Sequence, residues 1–212
     1  MYKLFYSPGT ASMVIHQLLI ELNVPFELVL VDFATEQQRT PDFLKLNPQG
    51  RVPVLVDGDV VIYESAAILL YLTEKTQQLA PAVGTPGRAR FLQQVAFLTN
   101  NLAPQLRLWF YPPDLGFTEY PAELRLQIQH NIEQQWQRLA DQLEQHGPYM
   151  LGAEFSSADL LLIMYMRWSR NMPKSALAWP ALQRLAELVR ARPSWRQLYQ
   201  NEGLNEWAGF SA

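Results

Sequence analysis

Residues 47–65 read NPQGRVPVLVDGDVVIYES, and this stretch decides the fold. Two apolar runs, Val52-Pro53-Val54-Leu55-Val56 and Val60-Val61-Ile62-Tyr63, flank Asp57-Gly58, a dipeptide that favours the tight turn of a β-hairpin. They predict two antiparallel strands. Proline has no N–H to give to a ladder, so Pro53 belongs at the start of a strand or on an edge, and Val52-Pro53 is a candidate for a cis bond. In that arrangement the N–H and C=O of Val52 face outward unpaired. Beyond Tyr63 the pattern turns from alternating to helical, with Ala66, Ala67, Leu69, Leu70 and Leu72 supplying good helix formers, which puts Ser65 at a helix N-terminus.

Together these pieces describe a ligand. The positive end of a helix and a serine hydroxyl attract a carboxylate, the Glu64 carboxylate attracts an ammonium, and unpaired backbone at Val52 suits an extended peptide. The combination predicts a small zwitterionic peptide. Each piece also has a plainer reading, in which Ser65 caps its own helix, Glu64 is a solvated first-turn acid and Pro53 ends a loop.

The run NPxGxVPxL, a hairpin and then YESxAI resembles the glutathione-binding half of the cytosolic glutathione S-transferases, and the opening KLFYSPGTAS is most similar to bacterial members, including the beta class. The likeness covers nearly the whole chain. It implies an α/β thioredoxin-like N-terminal domain with a mixed four-stranded sheet and a cis-proline, followed by an all-α C-terminal domain. It also implies glutathione as cosubstrate and, in most members, a homodimer.

Composition agrees independently. A chain of 212 residues can bury one large core or two modest ones. With 49% hydrophobic and 17% charged residues it reads as an ordinary globular protein, and a net charge of −3 without a Lys/Arg cluster leaves no footprint for nucleic acid. Its apolar runs fall short of the roughly 20 residues of a membrane span. No signal peptide precedes the first strand, and with no cysteine nothing argues for an oxidising compartment, so the cytoplasm is expected. His16, His130 and His146 lack ligand spacing, and no metal site is inferred.

Residues 3–6 predict a strand broken by Ser7-Pro8-Gly9, and a helix begins near Thr10 or Ser12 with Ala11, Ile15, Leu18 and Leu22 on one stripe. Asn23-Val24-Pro25 stops it, and residues 26–31 predict a second strand parallel to the first. Thr40-Pro41 opens a short helix. Residues 77–87 have the proline and glycine content of a linker, which gives a glutathione-binding domain at 1–78, a linker at 79–87 and a helical domain at 88–212. Residues 88–111, kinked at Pro104, and 122–146 predict the two main helices. Ser156 to Asp159 reads as a capping box opening a further helix, with Asp159 structural.

Glutathione brings the only thiol. Its thiolate is stabilised by helix N–H groups, the positive dipole end and a hydroxyl, and the hydroxyls on offer are Tyr6, Ser7, Thr10 and Ser12. Beta-class members carry a cysteine at the position of Thr10, so their mixed-disulfide chemistry is not expected here. Thr10 is the first choice to face the sulfur and Ser12 the second, with plain helix capping the alternative for Thr10. Arg51, where relatives carry a lysine or glutamine at the peptide's glycine end, either meets the terminal carboxylate or is simply solvated. Tyr111 and Trp168 are offered as walls of an apolar cleft for the electrophile, although aromatic stripes more often belong to a core. Asn100 and Asn101 fall where relatives form the dimer, and Ala103 and Pro104 replace the histidine and lysine of beta-class members.

The leading expectation is therefore transfer of glutathione to a small hydrophobic electrophile, with glutathione-dependent peroxide or disulfide reduction also open because both sulfurs can come from glutathione. An isomerase of this fold usually opens with Ser-Ser-Cys, which Pro-Gly-Thr argues against. A protein of the same fold that binds glutathione or a partner without turnover is the alternative from another class.

Overall fold

The computed structural model describes residues 1–210. The chain divides into two compact units: Met1–Ala80 together with the segment from Arg190 onward, and Pro81–Val189.

The first unit holds a four-stranded sheet: β1 (Tyr2–Tyr6), β2 (Phe26–Leu30), β3 (Val54–Asp57) and β4 (Val60–Tyr63), in the order β2-β1-β3-β4. β1 runs parallel to β2 and antiparallel to β3, and β3 antiparallel to β4, so the sheet is mixed as expected. Between them lie α1 (Met13–Glu21), α2 (Pro41–Leu46) and α3 (Ser65–Thr76). Alternation along each strand sends neighbouring side chains to opposite faces. On one face Phe43 of α2 packs with Val31, Val52 and Val54 against Phe5, Leu46 and Tyr63. Leu4 and Leu55 point the other way and are fully buried, as are Ile15 and Leu18 of α1 and Ile68, Leu69 and Leu72 of α3.

Two details of the hairpin differ from the expectation. Asp57 pairs with Val60, so the two-residue loop is Gly58-Asp59, one position later than Asp57-Gly58. Gly58 at φ +59 leads that loop, the left-handed first position that glycine fills without strain. The strand also begins at Val54, because β3 is interior, and Pro53, joined to Val52 through a cis bond, stands just outside a ladder to which it could not donate.

The second unit is helical among its described residues, apart from an isolated bridge between Tyr149 and Gly152. It comprises α4 (Pro86–Phe97), α5 (Ala103–Phe110), α6 (Ala122–His146), α7 (Ser157–Trp168) and α8 (Pro180–Arg190), the last ending at the boundary. The long first helix expected over 88–111 is divided by a π-helical stretch, Leu98–Leu102, directly before Pro104. Proline cannot donate to the carbonyl four residues back and its ring crowds that carbonyl, so the wider turn relieves the clash. α9 (Pro193–Glu202) returns to the first unit. No described helix is long and apolar enough to cross a membrane.

Asp159 closes the capping box and is fully buried, its oxygens accepting from the Met150 N–H at 2.8 Å, the Ser156 N–H at 2.8 Å and the Ser156 hydroxyl at 3.1 Å. Burial pushes its carboxyl up to about 6, against the pull of those donors. A raised carboxyl binds a proton in the folded chain before it does in the unfolded one, so its stabilising share is complete below about pH 4 and is lost as pH rises to about 6. Asp159→Asn is expected to remove a decline on the order of 3 kcal/mol between those limits, read as unfolding free energy against pH by urea titration.

Candidate functional site

Strand register brings three loops to one end of the sheet. Phe5 pairs with Val54 and Val54 with Tyr63, so the end of β1, the start of β3 and the end of β4 are aligned. The segments beyond them, Ser7 to Ser12, Arg51 to Pro53 and Glu64-Ser65, therefore meet at one edge. A direct bond ties two of them: the Ser65 hydroxyl donates to the Ala11 carbonyl at 3.1 Å.

Ser65 is the first residue of α3, whose leading N–H groups have no helical acceptor and form a positive end. Glu64 before it is exposed and adopts φ 73°, ψ 115°, outside the ordinary basins for a residue with a Cβ. Such conformations cost about 1–3 kcal/mol and gather at functional sites. Its Oε1 accepts from Gln49 Nε2 at 3.1 Å. Asn47, almost fully buried, shapes the next loop by donating to the Arg51 carbonyl at 2.7 Å and accepting from the Gln49 N–H at 3.0 Å. Val52 joins neither ladder and has no backbone partner among the described residues.

At the first loop two hydroxyl protons serve three short contacts. Thr10 Oγ1 lies 2.7 Å from the Ser7 carbonyl and 2.9 Å from Ser12 Oγ, and Ser12 Oγ lies 3.1 Å from the same carbonyl. Ser12 also accepts from the Ser7 N–H at 3.3 Å. Thr10 is partly exposed, whereas Ser12 is fully buried as the N-cap of α1. When the Thr10 proton turns toward another acceptor, the Ser12 proton remains to hold the Ser7 carbonyl. Burial holds the Tyr6 phenol above its ordinary value, with the Glu202 carboxylate adding to the effect, so Tyr6 stays protonated.

The arrangement thus offers the positive end of α3, a carboxylate beside it, unpaired backbone at Val52 and a partly exposed hydroxyl at the head of α1. Residues 1–74 match the family model described as the glutathione S-transferase N-terminal domain. Glutathione S-transferase GST-4.5 of Xanthomonas campestris is 31% identical over 96% of this chain and 100% of its own. The chain belongs to the glutathione S-transferase family. A sphingomonad glutathione S-transferase solved in complex with glutathione superposes with a TM-score of 0.82, at 31% identity over 96% of this chain and 100% of that one. The disulfide-bond oxidoreductase YfcG of Escherichia coli is 28% identical over 93% and 94% of the two chains.

Within this transferase the site residues expected from sequence fall in two groups. Thr10, Ser12, Val52, Pro53, Glu64 and Ser65 converge in the first unit, and Arg51 extends exposed from the same edge. Tyr111 and Trp168 lie in the second unit: Tyr111 is 52% exposed beneath the Arg107 guanidinium, 4.6 Å from its ring centre, and Trp168 packs edge-on against Tyr165. Among the described residues no group of three or more His, Cys, Asp or Glu side chains could hold a metal ion.

Two charged neighbours of these loops were not legible as such in the sequence. Arg39 Nη1 would lie 3.0 Å from a Cβ added at Gly50, which puts a second cation beside the Arg51 loop. Glu202 accepts from the Gly9 N–H at 2.8 Å and from His16 Nδ1 at 2.9 Å, although 186 residues separate it from His16. One signal was available. Glu202 extends the apolar stripe Trp195, Leu198 and Tyr199 of α9, where a carboxylate must find partners.

Proposed function

We propose that this chain joins the sulfur of glutathione to small hydrophobic electrophiles. The γ-glutamyl carboxylate takes the positive end of α3 and the Ser65 hydroxyl, and its ammonium takes Glu64. The backbone of Val52 before Pro53 holds the cysteinyl unit, and Arg51 meets the glycine carboxylate. The sulfur then lies against Thr10, whose hydroxyl donates to the thiolate while Ser12 supports it from below. The thiolate attacks the electrophilic carbon, a C–S bond forms, and the leaving group departs with its electron pair. Holding the two reactants together supplies much of the rate.

The observation that carries this reading is the alignment of Phe5, Val54 and Tyr63, which gathers an anion seat, a carboxylate and a hydroxyl at one sheet edge. Calorimetry with glutathione, followed by turnover of an aromatic halide, a hydroperoxide and a mixed disulfide, tests it. Binding with turnover of the halide is the expected result, and no binding removes the proposal. Similarity to a disulfide-bond oxidoreductase, in a chain with no cysteine of its own, favours glutathione-dependent disulfide or peroxide reduction as a second activity. Binding without turnover of any of the three would favour a non-catalytic glutathione-binding role instead.

The proposal keeps residues 1–78 as the glutathione-binding domain, 79–87 as linker and 88–212 as the helical domain, and takes the working form to be a cytoplasmic homodimer acting in detoxification. Tyr111 and Trp168 are proposed to meet the electrophile. Tyr111→Ala and Trp168→Ala are each expected to raise KM for the aromatic halide by about 3- to 10-fold through lost apolar contact, with KM for glutathione unchanged.

A further inference from the structure

We propose that Glu202 is a positioning residue for the sulfur-activating loop: its buried carboxylate, delivered by α9, fixes Gly9 and so the place of the Thr10 hydroxyl. The inference rests on the glutathione reading above.

The Glu202 and His16 side chains have no solvent exposure, and a buried carboxylate is tolerated where donors meet it. Here each oxygen has one. Oε2 accepts from Gly9 N–H at 2.8 Å, and Oε1 faces His16 Nδ1 at 2.9 Å. Asn201 Nδ2 lies 3.2 Å from His16 Nε2. With the amide donating there, Nε2 is an acceptor and Nδ1 carries the proton that Glu202 receives, an assignment made from the network itself.

The carboxylate is held in place by its own helix. Near the start of α9, Arg192 grips Glu21 of α1 through two bonds, of 2.6 and 2.7 Å, Ser194 donates to the same carboxylate, and Gln17 Nε2 donates to Ser194 Oγ at 3.2 Å. Both ends of α9 are thereby bonded to α1, and Glu202 cannot drift along it. What it holds is a backbone that needs holding. Gly9 sits at φ +72, a conformation open to glycine because it has no Cβ, and glycine is otherwise the freest residue of a loop. Thr10 follows directly.

Two substitutions separate position from charge. Glu202→Asp keeps the charge and withdraws the carboxyl by about 1.5 Å, one methylene, so that it cannot reach both donors. Glu202→Gln keeps the length, and its oxygen still accepts from Gly9 while its amide donates to His16 in the other tautomer, with the Asn201 amide turned to present its oxygen to Nε2. Positioning predicts kcat about tenfold lower in Glu202→Asp, with bound glutathione titrating at higher pH and KM for glutathione within about threefold, because misplacement of the order of 1 Å costs rate rather than binding. Glu202→Gln stays within about twofold of wild type on the same reasoning. An unchanged Glu202→Asp, or a Glu202→Gln as impaired as Glu202→Asp, overturns the proposal.

Amide hydrogen exchange in the wild-type protein needs no variant: Gly9 is expected to exchange at least about 100-fold more slowly than an unprotected amide, and near-unprotected exchange overturns the proposal even if Glu202→Asp does not fold. A wild type that binds no glutathione brings down the functional reading and this inference with it. Intact binding with no effect in Glu202→Asp removes the role of Glu202 alone.

Discussion

Replacing Thr10 by valine is expected to lower turnover of an aromatic halide by about 10- to 100-fold near neutral pH, the rate equivalent of one hydrogen bond to a charged group. Valine keeps the shape of threonine and deletes the hydroxyl. That hydroxyl lies 2.7 Å from the Ser7 carbonyl, 2.9 Å from Ser12 Oγ and 3.4 Å from Ser12 N, so the substitution removes neutral contacts only, and Ser12, 3.1 Å from the same carbonyl, keeps that oxygen bonded. The protein should therefore fold, with the loss appearing in the chemistry. The sign follows from the anion. A hydroxyl donor favours the thiolate and lowers the pH at which bound glutathione ionises, so its removal moves the ionisation to higher pH. The deficit in turnover should shrink as pH rises and more thiol ionises unaided. Thiolate absorbance of the complex against pH is the direct readout. An unchanged titration would pass the role to Ser12 or to backbone N–H groups at the head of α1, of which Ala11 N–H has no partner among the described residues.

Ser65→Ala is expected to weaken glutathione binding by about 1–3 kcal/mol, the worth of a charge-assisted hydrogen bond to a carboxylate. The Ser65 hydroxyl donates to the Ala11 carbonyl, and in the proposed complex it exchanges that neutral acceptor for a charged one. The exchange favours the ligand, because a hydrogen bond to an ionised acceptor is roughly twice as strong as a neutral one. Calorimetry checks it. The loss should appear in affinity for glutathione, with the ionisation of the bound thiol hardly changed, since the proposal places Ser65 at the far end of the peptide. An unchanged affinity would remove Ser65 from the site and leave it as a strut between α3 and the loop at Ala11.

The architecture was readable because its signals are local. The hairpin, the change of period at Tyr63 and the breaks at Asn23-Val24-Pro25 each depend on a few consecutive residues, and the mixed sheet follows from them. The turn slipped by one place because Asp57-Gly58 and Gly58-Asp59 both satisfy turn chemistry, and pairing of Asp57 with Val60 decides between them. The division of the long helix before Pro104 was legible as a kink, whereas its π-helical form depends on how the backbone relieves the proline clash. At the site, Glu64, Ser65, Val52 and Pro53 follow one another within 14 positions and could be read as a unit. The seating of Ser12 inside the loop, beneath Thr10, is a matter of burial that residue type does not reveal. Glu202 reaches Gly9 across 193 positions, and pairings of that length are set by packing of whole helices rather than by any neighbouring residue.

A crystal structure of the protein with glutathione bound tests the central claim most directly. The account predicts the γ-glutamyl group on Ser65 and Glu64, the peptide backbone along Val52, and the sulfur within hydrogen-bond distance of Thr10 Oγ1. Glutathione bound away from that sheet edge, or bound there with its sulfur turned from the head of α1, would contradict it.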